Sequence, residues 1–167
     1  MACNISSEHR ERMDDIEQQL QAVFPPIVTE RWSEKTGKQL KDDVEVFNVG
    51  SRQQIAKRLE TKGARWSQRT DKGAIVVNEK TLAALTHIPE AALVLEYLTL
   101  QKRIGMVNSW IDSYASDGRV HGRVNTCGAV TGRMTHSSPN MAQIPSESIY
   151  RDCWTVPDGY NLIGIDA

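Results

Sequence analysis

The sequence predicts an α+β fold with helices up to about residue 116 and strands after it, and three observations carry that prediction. Leu93, Tyr97, Leu100, Ile104, Val107, Ile111 and Tyr114 recur at steps of three or four, the period of a helix with one apolar face. Arg119-Val120-His121-Gly122-Arg123-Val124 alternates instead, which is the period of a strand. Asp117-Gly118 separates the two patterns with a turn signal. At 167 residues and 40% hydrophobic content the chain can bury a core of its own.

Each element has its own signal. Ser6 and Ser7 are placed to cap a helix running to about Val23, with Met13, Ile16, Leu20 and Val23 on one stripe and Pro25-Pro26 as its stop. Residues 27 to 47 read as a two-stranded segment that turns at Lys35-Thr36-Gly37-Lys38. Asn48-Val49-Gly50-Ser51 breaks the chain, and Ser51 with Gln54 forms a capping box before a helix with Ile55 and Leu59 inward and Gly63 past its end. Asp71-Lys72-Gly73 turns into a short Ile75-Val76-Val77 run, and Asn78 caps a brief helix through Leu82 and Leu85. Pro89 suits the first position of the long helix, whose apolar face extends over about 26 residues, roughly 40 Å. Trp110 and Trp154 are expected as core anchors. Cys127-Gly128 and Thr131-Gly132 break the β region, and Pro157-Asp158-Gly159 turns into a final strand from Tyr160 to Asp166.

With a formal net charge of -1, any electrostatic footprint must be local. Residues 51 to 72 carry a surplus of five positive charges (Arg52, Lys57, Arg58, Lys62, Arg65, Arg69 and Lys72 against Glu60 and Asp71), expected on the helix's outer side. Residues 101 to 133 carry a surplus of three (Lys102, Arg103, Arg119, Arg123 and Arg133 against Asp112 and Asp117). Either segment can be a solvated face or a polyanion contact. Cys3, Cys127 and Cys153 stand apart without a CxxC pair, which suggests neither a zinc site nor a disulfide framework and fits reduced thiols in a cytosol. No apolar run approaches the roughly 20 residues of a membrane span, and the charged N-terminus (Glu8, Arg10, Glu11, Arg12) is unlike a signal peptide.

Chemistry concentrates after Gln101. Asp166 ends the hydrophobic run YNLIGIDA, and its carboxylate is either a cap or a hard ligand suited to Mg²⁺. A two-metal displacement at phosphorus needs more than one such group. Arg133 sits among Thr, Ser, His and Asn residues, where its guanidinium is either a surface charge in a polar loop or a donor to the minor-groove acceptors common to all base pairs. Asn140 and Gln143 offer similar donors. His121 and His136 read as satisfied polar residues or as ligands, and neither has a second His or Cys at ligand spacing.

YLTLQKRIG, DGRVHGRVNTCGAVTGRMTHSSPNMAQIP and YRDCWTVPDGYNLIGIDA, in that order, resemble the thumb-to-palm passage of family A (DNA polymerase I-like) DNA polymerases, and most of all the replicative enzymes of podophages. The likeness is specific from Tyr97 to Ala167, extends back to Val46 through VFNVGSRQQIAKRLETKG, and fades before it. It implies a helical thumb with a long helix hairpin over residues 1–116, followed by the first strands of an incomplete palm over residues 117–167, ending at motif A. By the same resemblance Asp166 matches the first catalytic, metal-binding aspartate and Ala167 the neighbour whose carbonyl joins the coordination of two Mg²⁺ ions. Arg133 matches the arginine at the primer terminus, Asn140 and Gln143 fall in the adjoining template-primer segment with His136, and Lys102 and Arg103 match the base of the thumb helix beside the DNA backbone.

The family's second aspartate, its nucleotide-binding fingers helix and its exonuclease domain have no counterpart in the sequence. The expectation is therefore the N-terminal piece of a split, interrupted or truncated phage-type polymerase. It would grip primer-template DNA, contribute one metal ligand in the cytoplasm of an infected bacterium, and be inactive until a complementary C-terminal fragment supplies the deoxynucleotide pocket. The alternative is a non-catalytic duplex-binding module derived from a polymerase thumb.

Overall fold

The computed structural model describes residues 1–32, 37–39, 41–161 and 163. The fold is α+β, and two compact units can be distinguished: one comprises residues 10–102, the other residues 1–9 together with the chain from 103 onward. These units follow spatial compactness; the thumb and palm boundary at 116 follows the resemblance.

The unit of residues 10–102 is built mainly from helices. Helix α1 (Ala2–Val23) stops ahead of Pro25-Pro26, as the sequence predicts, but begins at Ala2. Ser6 is consequently buried inside it, and donates its hydroxyl to Asn108 Oδ1 at 3.0 Å within the other unit. A side-chain partner across the packing, rather than a free backbone N–H, uses that hydroxyl. Ile16 and Leu20 are fully buried, while Val23 is exposed and the next residue, Phe24, takes the core position, packing edge-on against Phe47 at 5.2 Å. Strands β1 (Ile27–Thr29) and β2 (Asp43–Glu45) pair antiparallel, Val28 opposite Val44. Of the turn expected between them, Lys35 and Thr36 lie outside the described residues, and Gly37 takes φ +64.

Helix α2 (Arg52–Glu60) departs from its expected capping box. Ser51 Oγ accepts from the Gln54 N–H at 3.5 Å, but Gln54 Oε1 accepts from the N–H of Asn48 at 2.6 Å, so the reciprocal bond closes three residues earlier. At the other end Gly63, with φ +94, donates to Glu60 O at 3.0 Å while Ala64 donates to Leu59 O at 3.0 Å, the paired bonds by which a left-handed glycine finishes a helix. Arg58 is not on the outer side: it is buried, with its guanidinium 5.8 Å from the Phe47 ring centroid and Nη2 donating to Glu45 O at 3.4 Å. Helix α3 (Glu79–Ala83) has the complete box, Asn78 Oδ1 accepting from the Thr81 N–H and Thr81 Oγ1 from the Asn78 N–H, both at 2.9 Å.

Helix α4 (Pro89–Asp112) starts at Pro89 as expected and spans 24 residues. Its most buried positions are Ala91, Val94, Tyr97, Val107 and Trp110; Leu93, Leu100 and Ile111 are half-buried, and Tyr114 lies beyond the helix and is exposed. Tyr97 and Val107 of the predicted stripe are thus buried, while at either end Val94 and Trp110 are buried more deeply than the expected Leu93 and Ile111. Apolar residues occupy more than one side of this helix, so periodicity alone does not select the face that packing chooses. In the unit of residues 10–102, Arg12 of α1 grips Glu96 of α4 through Nε at 2.8 Å and Nη2 at 3.1 Å.

The other unit holds a smaller core of Ile5, Val107, Trp110 and Tyr150. Trp154 packs edge-on against Trp110 at 5.2 Å, half-buried rather than enclosed. Strands β3 (Arg123–Asn125) and β4 (Thr135–Ser137) pair antiparallel, a 3₁₀ turn follows at Met141–Gln143, and α5 covers Ser148–Arg151. The turn before the expected final strand is present, Tyr160 donating to Pro157 O at 3.1 Å with Gly159 at φ +87. Leu162 and residues 164 to 166 of that strand lie outside the described residues.

Candidate nucleic-acid interface

Local sequence shapes the β3–β4 ribbon. Its loop closes when Gly132, at φ +76, donates to Ala129 O at 2.9 Å and Ala129 donates to Arg133 O at 3.1 Å. Gly128 admits a close approach: a Cβ there would stand 2.0 Å from Thr135 Oγ1 and 2.9 Å from Thr135 Cβ. After β4, Ser138 takes φ +57, and Asn140 Oδ1 accepts from the Ala142 N–H at 3.1 Å to start the 3₁₀ turn. That turn packs against β4 and leans on Gly122, where an added Cβ would lie 3.1 Å from Met141 Cγ.

Arg133, His136, Asn140 and Gln143 therefore fall on this ribbon and the turn behind it. Arg133 is exposed at the loop end, without an ion pair or side-chain hydrogen bond among the described residues. His136 is half-buried on β4 opposite Val124. Asn140 and Gln143 are exposed, the first with its carbonyl oxygen committed to the cap and its NH₂ left to donate. Arg103 belongs to the same unit, half-buried, with Nη2 3.3 Å from Glu147 Oε1 and its guanidinium 5.2 Å from the Tyr150 ring centroid. Lys102 is exposed on α4 and belongs to the unit of residues 10–102. Asp166 and Ala167 lie outside the described residues.

The two basic segments behave differently. In the first, Lys57 pairs with Glu45 at 3.3 Å, Lys62 with Glu90 at 3.3 Å, Arg69 donates to Gly73 O at 3.1 Å, Arg52 to Val77 O, and Arg58 is buried. In the second, the side chains of Arg119, Arg123 and Arg133 meet no acceptor among the described residues. Arg65 and Lys72 of the first segment also meet none, and the carbonyl partners of Arg52 and Arg69 leave their charge in place, so cations without an acidic partner among the described residues occur in both segments.

Three contacts lie beyond the sequence-level candidates. His121 Nε2 is 2.7 Å from Asp117 Oδ2, and this hydrogen bond holds the Asp117 carboxyl below its usual range; the spacing of four residues was the available signal. His9 Nε2 is 2.7 Å from Tyr150 Oη, and burial lowers the His9 pKa below its ordinary value. Burial likewise raises the Tyr150 hydroxyl and the Cys153 thiol. Glu147 on Arg103 and Tyr150 on His9 are separated in sequence by 44 and 141 positions, so no local pattern announces them.

Two concavities among the described residues lie away from the candidates. A cleft of about 980 Å³ beside Trp110 and Trp154 and a smaller one of about 320 Å³ beside Trp66 and His87 contain none of the candidate residues. Exposed donors on a ribbon suit a large polyanion better than an enclosed small molecule. Among the described residues no three His, Cys, Asp or Glu side chains gather as a metal site, and no helix is long and apolar enough to cross a membrane.

This architecture matches part of a known fold: it superposes with a TM-score of 0.77 and 22% identity on the POL domain of Pol1 from M. smegmatis, solved in complex with DNA primer-template and dNTP, covering 96% of this chain and 26% of that one. Residues 10–167 match the model of DNA polymerase family A, and the chain belongs to that family. It is 46% identical over 109 residues to the DNA-directed DNA polymerase of Escherichia phage T7, which covers 60% of this chain and 16% of the phage protein. DNA polymerase I of Mycobacterium tuberculosis (strain CDC 1551 / Oshkosh) is 28% identical over 158 residues, 83% of this chain and 17% of that protein. The chain thus spans about one sixth of the length of the curated relatives it matches.

Proposed function

We propose that this chain is a duplex-gripping portion of a phage-type DNA-directed DNA polymerase, with residues 1–116 as thumb and 117–167 as the start of the palm. The observation that carries the reading is Arg133: it stands in the TGR motif in the loop of the β3–β4 ribbon, exposed and without an acidic partner among the described residues. Arg133 inserts its guanidinium fork among minor-groove acceptors at the primer terminus, where donors are tolerated by every base pair. Asn140, through its uncommitted NH₂, Gln143 and His136 donate beside it, and Lys102 and Arg103 neutralise backbone phosphates.

Asp166 and the carbonyl of Ala167 are the groups that would hold Mg²⁺. A carboxylate and a carbonyl are both hard oxygen donors, which fits that ion. When bound, the metal neutralises charge at the reacting phosphate and lowers the pKa of the primer 3′-hydroxyl. Catalysis further requires a second carboxylate and a nucleotide pocket, supplied by a complementary polymerase segment in a phage-infected cell.

Primer extension tests this. The chain is assayed alone, then with a family A fragment carrying fingers and remaining palm, then with Asp166→Asn in its place. Extension by the mixture that disappears with Asp166→Asn is expected; extension that survives the substitution removes Asp166 from the metal site. Duplex binding is measured in parallel, and Arg133→Gln is expected to weaken it for all sequences alike.

A further inference from the structure

Four side chains far apart in sequence meet beside α5, all within the unit of residues 1–9 and 103 onward. Tyr150 is 5% exposed and packs with Ile5, Val107 and Trp110. Its hydroxyl lies 2.7 Å from His9 Nε2, and the two rings meet edge-on at 5.9 Å. Ring and hydroxyl are therefore both fixed, and the guanidinium of Arg103 lies over the ring, 5.2 Å from its centroid. Glu147 holds the N-cap position of α5 without making a capping hydrogen bond. Its carboxylate instead accepts from Arg103 Nη2 at 3.3 Å.

The two neighbours of Arg103 differ in kind. A tyrosine face attracts a guanidinium and sets its plane without consuming an N–H donor. Glu147 engages one N–H of the fork among the described residues, through a single long contact to an exposed carboxylate. A phosphate offers the same fork two shorter, charge-assisted bonds. Glu147 can thus give way to a phosphate while Tyr150 stays in place, and an arginine already oriented loses less rotamer freedom on binding.

We propose that Tyr150 and Glu147 are positioning residues for Arg103: the buried ring orients its guanidinium, and the carboxylate occupies in the free chain the place that a backbone phosphate takes in the complex. This rests on the assignment of Arg103 to the duplex backbone made above, and adds to it the residues that act through Arg103. His9 in turn holds Tyr150 through its hydroxyl.

Double-mutant cycles test this, with binding of the full chain to a labelled primer-template duplex followed by fluorescence anisotropy at low potassium chloride. Glu147→Gln is expected to tighten binding roughly twofold and to give no gain when Arg103→Gln is also present. Tyr150→Leu is expected to weaken binding roughly twofold to fivefold and to cost nothing further beside Arg103→Gln, while Tyr150→Phe, which keeps the ring face, restores the affinity. A gain from Glu147→Gln of equal size with and without Arg103 would reduce that carboxylate to a long-range charge and overturn the exchange. A loss from Tyr150→Leu that persists beside Arg103→Gln would make Tyr150 a core residue only and overturn its positioning role. Melting temperatures are measured for every variant, and the Glu147→Gln cycle, at an exposed position, reads independently of any failure of Tyr150→Leu to fold. If Arg103→Gln leaves affinity unchanged while Arg133→Gln weakens it, the positioning inference is overturned and the duplex-binding reading stands. If wild type binds no duplex, both fall.

Discussion

Gly128 shows how one hydrogen atom in place of a methyl group decides a local fold. A Cβ there would overlap both Oγ1 and Cβ of Thr135, and a β-branched side chain cannot retreat by rotating its far end alone. Gly128→Ala is expected to cost about 1–3 kcal/mol, seen as a lower urea midpoint at unchanged m-value; a midpoint equal to wild type would mean that Thr135 yields freely. His9 gives a pH signature of opposite origin. Its folded pKa lies below its ordinary 6.5 because burial disfavours the imidazolium, so the unfolded chain binds that proton more readily. The stability held by neutral His9 is therefore complete above the ordinary value and is lost as pH falls through the folded value. His9→Gln, which keeps a hydrogen-bonding group toward Tyr150 but does not titrate there, should flatten the fall in melting temperature between pH 7 and pH 5; an unchanged pH profile would refute the assignment.

The helices of this chain were legible wherever one residue settles a backbone question. Pro25-Pro26 stops α1, Pro89 opens α4, Gly63 closes α2 and Asn78 caps α3, each because its covalent chemistry fits one geometry. Burial was less legible. Arg58 turns inward because its stem and guanidinium find Phe47 and a carbonyl, and α4 buries Val94 and Trp110 because neighbouring elements select among its several apolar sides. Within α4, Gly105 has open space where a Cβ would sit and is therefore a gap in helix propensity rather than a packing requirement. Gly105→Ala is expected to stabilise the chain by about 0.5–1 kcal/mol, raising its melting temperature. A lower melting temperature would reveal a neighbour unaccounted for.

For the molecule as a whole, sequence order proposes an interface and the structure separates paired from unpaired cations. The TGR and PNxxxIP motifs pointed to Arg133, Asn140 and Gln143 directly, whereas a count of basic residues pointed more strongly to residues 51 to 72. There most of the cations are paired with carboxylates, bonded to carbonyls or buried, so Lys57→Gln, at a cation paired with Glu45, should change duplex affinity far less than Arg133→Gln at the same salt. The opposite order in a titration would return the interface to that segment. The ribbon also has only three paired residues on each strand, and two strands alone are marginal in water. Its backbone amides should consequently exchange with deuterium faster than those of α1 and α4 when the chain is free. Bound duplex would hold the ribbon closed, so part of the binding energy is spent on ordering it, and slowed exchange across residues 123 to 137 becomes a direct gauge of occupancy.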